Sequence, residues 1–168
     1  MFRVAAASIE EYFGFDPARE ADLRRTDESI RAAAPTLARW FVPGTAAGKP
    51  GMAMTLIGYG SFEYALQRSP ITVTWPIVGL ALQKNYLSLY FSAEYNGSPF
   101  ALGYTDQLGE VDISSTGAVR FARATDLNPA GLATLLTDLE HGLTTATVRV
   151  RYGRNTTTVA VHGYPSTR

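Results

Sequence analysis

The sequence predicts an α+β domain: one twisted, mostly antiparallel sheet of about five to seven strands, helices packed on one face, and a C-terminal β-hairpin. Three observations carry this expectation. Apolar residues recur with helical period over residues 17–34 and again over 129–141. Between them, from Met52 to Arg123, short runs rich in β-branched and aromatic residues follow one another. Near the C-terminus, Val alternates with Arg or Thr on both sides of Gly153-Arg154-Asn155, a hairpin signal.

Asp16-Pro17 opens the first helix, with Asp as N-cap and Pro where a missing N–H costs nothing. Leu23, Ile30, Ala33, Ala34 and Leu37 form its apolar stripe, and Pro35 ends or kinks it. A second helical piece, Thr36 to Phe41, is expected to close at Pro43-Gly44, and residues 42–51 read as a loop. Strands are expected over Met52–Gly58, Phe62–Gln67, Ile71–Trp75, Ile77–Leu82 and Tyr86–Ser92. In the last of these Tyr86, Ser88 and Tyr90 alternate with Leu87, Leu89 and Phe91, as in a strand covered by helices on one side only. Pro99 to Leu108 reads as a short helix, and Val111–Ile113 and Val119–Arg123 as further strands. Asn128-Pro129 repeats the cap-then-Pro signal ahead of Leu132, Leu135, Leu136 and Leu139. Residues 145–151 and 156–162 are the two arms of the hairpin, an extension over 143–168. Its apolar face must be buried, on the chain's own sheet or, alternatively, against a second copy in a homodimer.

One hydrophobic core serves a chain of 168 residues, so 1–168 reads as a single domain. With 15 basic and 15 acidic residues spread along it, the chain lacks the concentrated basic surface that nucleic acid or an anionic membrane requires. There is no Cys, which excludes thiolate metal sites, cysteine nucleophiles and disulfides. Glu10 and Glu11 interrupt the N-terminal run too early for a secretory signal, and no stretch approaches the ~20 apolar residues of a membrane span. A cytoplasmic location is the expectation.

Gly44-Thr-Ala-Ala-Gly48-Lys49-Pro50 fails as a phosphate-binding loop, having three residues between its glycines and Pro50 where a hydroxyl is needed. Gly58-Tyr-Gly-Ser61-Phe lacks the spacing of a nucleophile elbow. Neither His141 nor His162 has a histidine or carboxylate at ligand spacing, so zinc and histidine-base hydrolase chemistry are set aside. Acidic residues cluster towards the N-terminus, but Arg19, Arg24, Arg25 and Arg31 are interleaved with them, as on a solvated helix face. The aromatic and polar set Tyr59, Tyr64, Trp75, Lys84, Asn85, Tyr86, Tyr90 and Tyr104 offers apolar faces with hydrogen-bonding tips. The same residues are good strand formers, and core packing is their other reading.

Ile57-Gly-Tyr-Gly60, the block Trp75-Pro-Ile-Val-Gly-Leu-Ala-Leu-Gln-Lys-Asn-Tyr86-Leu-Ser-Leu-Tyr90, Leu108-Gly and Val119-Arg-Phe121 resemble the YdhG-like family of small bacterial domains of unknown function. Ile30-Arg-Ala-Ala-Ala-Pro35 and Asp126-Leu127 extend the resemblance over about residues 16–142. It implies a frataxin-like shape and, for some members, iron binding. The leading expectation is a non-catalytic module binding a small ligand or peptide on an open sheet face. Tyr59, Tyr64, Trp75, Tyr86, Tyr90 and Tyr104 would supply contact surface there, and Lys84 the fixed charge. The alternative is a frataxin-like protein holding iron weakly through Glu10, Glu11, Glu20 and Asp27. An enzyme without a visible acid, base or nucleophile constellation is the third reading, and no cofactor is expected.

Overall fold

The computed structural model describes residues 2–46, 48–49, 51 and 53–165. Ala47, Pro50 and Met52, in the expected loop and at the start of the first expected strand, lie outside the described residues. Helix α1 (Ile9–Gly14) starts at Ser8, whose Oγ accepts from the Glu11 amide at 3.1 Å. It is absent from the sequence expectations, although Ser8 followed three residues on by Glu11 is a capping signature. Helix α2 (Glu20–Ala33) begins three residues later than expected, because Asp16 caps a preceding turn through the Ala18 amide instead.

The expected helical piece at 36–41 is a strand, β1 (Arg39–Val42), paired antiparallel with the first half of β2 (Leu56–Leu66). Tertiary pairing outweighs local propensity here: Trp40, Phe41 and Val42 complete a sheet edge, and the Trp40 indole N–H donates to the Gly60 carbonyl at 2.9 Å. The runs split at Gly60 and at Pro76 are each continuous, giving β2 and β3 (Thr72–Leu82) of 11 residues apiece. Strands β4 (Leu87–Phe91), β5 (Ala93–Tyr95) and β6 (Ser98–Pro99) follow, then a 3₁₀ helix over Phe100–Gln107. Next come β7 (Asp112–Ile113), β8 (Val119–Phe121) and α3 (Pro129–Thr144), which Asn128 caps through the Gly131 amide at 3.1 Å. The chain closes with β9 (Arg149–Val150) and β10 (Thr156–Val161).

The fold is α+β, and every strand pairing is antiparallel. Two sheets form rather than one: a seven-stranded sheet in the order β1-β2-β3-β4-β8-β7, with β10 also on β2, and a three-stranded sheet β6-β5-β9. The C-terminal hairpin does not form. Its two arms go to different partners, β9 to β5 and β10 to the outer half of β2. Val148, Val150 and Val161 are thereby buried within the chain, which a lone two-stranded hairpin could not do, whereas Val159 stays exposed.

Register explains the core. Ile57, Leu80, Leu89 and Val119 face one another across four strands, and Leu82, Leu87 and Phe121 form a second row. All are buried, together with Leu23 and Ile30 of α2 and the Leu132, Leu135, Leu136, Leu139 stripe of α3. The opposite side of the sheet is not the open face expected from the hydroxyl-bearing alternation. Ser88 is 0% exposed, Trp40 crowds Gly58, and Leu56 lies against Gly79. Among the described residues no helix is long and apolar enough to cross a membrane.

Candidate functional site

A concavity of about 540 Å³ with mixed polar and apolar walls lies where the two sheets meet. Trp75 and Tyr90 line it from the main sheet, Glu94 from β5, and Arg151, Tyr152 and Arg154 from the turn after β9. Trp75 is fixed by pairing opposite Phe62. Tyr152 then stacks on Tyr64 with ring centroids 4.9 Å apart and lies 5.5 Å from Trp75. Offset aromatic contacts of this kind stabilise beyond area burial alone. Trp75 and Tyr152 thus floor the cleft, with Tyr64 buried beneath Tyr152.

The turn carrying Tyr152 is held from both sides. The Arg151 amide donates to Ser92 at 2.9 Å, and the Arg151 guanidinium donates to the carbonyls of Gly153 and Arg154 at 2.9 and 3.0 Å. Glu94 lies 4.0 Å from the same guanidinium, and Thr158 Oγ1 donates to the Val150 carbonyl at 2.6 Å. Arg151 is thus occupied in shaping the turn. Arg154 has no carboxylate partner among the described residues and leaves the rim positive. Burial raises the Tyr152 hydroxyl pKa, and burial followed by the nearby Tyr152 pushes Tyr64 to about 12, so the floor is uncharged at ordinary pH.

The structure disperses the aromatic set named from sequence. Trp75 and Tyr90 line the cleft, with Gln83 donating to the Tyr90 hydroxyl at 3.1 Å, and Tyr64 lies beneath Tyr152. Tyr59 is fully buried on the helical side, where its hydroxyl donates to Asp27 at 2.6 Å. Tyr86 sits under the Arg120 guanidinium, 5.6 Å from its carbon. Lys84 is exposed at the tip joining β3 to β4, away from the cleft lining. The Tyr104 hydroxyl donates to Asp138 at 2.6 Å, with its ring against Phe100. Glu94, Arg151, Tyr152 and Arg154 were not singled out from sequence as site residues. Their signal was the Gly153-Arg154-Asn155 turn, read as a hairpin tip.

The acidic set is largely engaged with arginine. Arg24 bonds both Glu10 and Glu20 at 2.9 Å, and Arg39 bonds Asp27 at 2.7 Å. The hydrogen bond from Arg24 and its charge hold the Glu10 carboxyl below the usual range. Glu11 accepts from the Ala7 amide at 2.7 Å. Among the described residues no group of three His, Asp or Glu side chains could hold a metal ion.

A further sequence expectation is overturned. His162 does have a carboxylate neighbour, because pairing of β10 with β2 brings it to Ser61 Oγ (2.6 Å from Nδ1) and Glu63 (3.7 Å from Nε2). The partners are about a hundred residues away in sequence, beyond the reach of any spacing rule.

Comparison with family models, with curated proteins and with solved structures finds no match to this chain.

Proposed function

We propose that the cleft is a non-catalytic binding site for a small ligand with a flat apolar body and one anionic group. The observation that carries this is the pairing of an aromatic floor, Trp75 and Tyr152 backed by the buried Tyr64, with a rim cation, Arg154, that has no carboxylate partner among the described residues. A volume of about 540 Å³ suits a ligand of that size. A planar ring would lie against Tyr152 and Tyr90, and its carboxylate or phosphate would meet the forked guanidinium. A YdhG-like identity for residues 16–142 rests on the Trp75–Tyr90 block, and Trp75 and Tyr90 both line the cleft.

Titration calorimetry against a panel of aryl carboxylates and their neutral amides tests the reading. Carboxylates should bind more tightly than the matching amides, and Arg154→Ala should weaken the best of them by roughly tenfold, the loss of about 1.4 kcal/mol from one charge-assisted contact. Equal affinity for acid and amide, or an unchanged affinity in Arg154→Ala, would sink it.

A further inference from the structure

Strands β1 and β10 lie end to end along the same edge of β2, β1 on Leu56–Tyr59 and β10 on Phe62–Leu66. Gly60 and Ser61 occupy the junction. Gly60 holds φ at +66°, a conformation that disfavours any side chain, and donates to the Ala38 carbonyl at 2.9 Å. On the other side the His162 amide donates to the Ser61 carbonyl at 3.0 Å. Ser61 and Glu63, two apart on an extended strand, project to the same side. His162 is held beside both, its side chain 46% exposed and that of Glu63 36%.

We infer that Ser61, His162 and Glu63 form an acyl-accepting nucleophile site, separate from the cleft. The Glu63 carboxylate, 3.7 Å from Nε2, favours the imidazole tautomer that carries its proton there. Nδ1 then presents a lone pair to the Ser61 hydroxyl, 2.6 Å away, the distance of a nucleophile and its general base. Glu63 is the charged group within ion-pair distance of His162 among the described residues. Glu140 of α3 and the Tyr164 hydroxyl meet at Thr36 instead.

The chemistry balances without a cofactor. Ser61 Oγ bonds to the carbonyl carbon of an ester as its proton moves to Nδ1. Collapse of the tetrahedral adduct breaks the bond to the leaving oxygen, which departs with the proton returned by His162. Water then attacks the acyl-serine and gives its proton to the same nitrogen. Carboxylic acid is released and the hydroxyl restored. Ser61 is set in a strand rather than at a helix N-terminus, whose free N–H groups would stabilise the tetrahedral oxygen. The site therefore suits acyl donors with good leaving groups, such as aryl esters.

The full chain is treated with a fluorophosphonate probe and with p-nitrophenyl acetate, and the modified peptide is identified by mass. One label per chain at Ser61 is expected, lost in Ser61→Ala and slowed about a hundredfold in His162→Asn, the usual contribution of a general base. Glu63 is a positioning residue, so Glu63→Gln should slow labelling and Glu63→Asp restore part of it. In Ser61→Cys, thiolate formation followed by iodoacetamide alkylation should occur at lower pH than when His162→Asn is added. Undiminished labelling in Ser61→Ala overturns the inference. So does a Ser61→Cys thiol that alkylates with the pH profile of a free cysteine, and that measurement decides the matter even if His162→Asn fails to fold.

Discussion

The buried carboxylate of Asp27 is the polar centre of the helix–sheet interface. It is 3% exposed, accepts the Tyr59 hydroxyl at 2.6 Å and pairs with Arg39 at 2.7 Å, while Arg31 lies 3.7 Å away. Tyr59→Phe removes one donor and leaves a carboxylate oxygen without that partner in a site closed to water. A hydrogen bond to a charged group contributes about 1.5–3 kcal/mol, so this variant should lose that much. For a chain of this length each kcal/mol shifts the melting temperature by about 2–4 °C, which predicts a fall of roughly 3–12 °C. Asp27→Ala should cost more, about 3–5 kcal/mol, since it leaves both the Arg39 guanidinium and the Tyr59 hydroxyl without their acceptor. The double variant should be less destabilised than the sum, by about 1–3 kcal/mol, because the second substitution removes a group already orphaned. Urea and thermal melts of the four proteins give the cycle. If Tyr59→Phe stays within about 0.5 kcal/mol of the parent, or the two losses simply add, the carboxylate is not the shared acceptor that the geometry describes.

Alkaline pH gives an independent test. Burial raises the hydroxyl pKa of Tyr12, Tyr59 and Tyr104 well above the usual value, and that of Tyr64 to about 12. The folded state keeps these protons where the unfolded chain has lost them, so stability is full below pH of about 10 and falls as pH rises through the folded values. A melting temperature flat from pH 9 to 12 would contradict the burial of these rings. Gly131 lies in the first turn of α3, where an added Cβ would stand 1.7 Å from the Gln107 carbonyl oxygen. Gly131→Ala should therefore cost about 3 kcal/mol or more by urea melts, whereas Gly103→Ala, with open space around it, should stay within about 0.5 kcal/mol.

Helix α3 was legible in the sequence because its determinants are local: Asn128, Pro129 and four leucines at helical spacing are all that its start and buried stripe require. The alternation of Tyr86, Ser88 and Tyr90 with Leu87, Leu89 and Phe91 also survives in β4, although what covers the hydroxyl side was not readable. Pro76 was taken to divide two strands, because proline interrupts a ladder. It is tolerated inside β3 because it lies opposite Ser61 of β2, whose carbonyl accepts from the His162 amide instead of needing a donor from β3. Gly60 divided the reading of β2 in the same way, and its positive φ bends the strand without ending it. The cleft was the least legible part. Trp75, Tyr90 and Tyr64 were singled out, but Tyr152, Glu94 and Arg154 reach them only through the β5–β9 and β2–β10 pairings. Local alternation around residues 153–155 favours a hairpin, and only the competition of two preformed sheet edges separates its arms.

That separation bears on the order in which the molecule is completed during synthesis. Chains emerge from the ribosome N-terminus first, and elements that can pack do so as they appear. Strands β1 to β8 and both long helices precede residue 145, whereas the outer half of β2 and the free edge of β5 await β10 and β9. A nascent chain exposed to about residue 145 would thus carry Tyr64 and Trp75 bare beside two unpaired edges, the kind of surface that chaperones recognise and that aggregates. The segment after residue 145 acts as an intramolecular cap on both edges. The cleft between the sheets and the Ser61–His162 contact both come into being when that segment docks, so a chain stalled before it would possess neither.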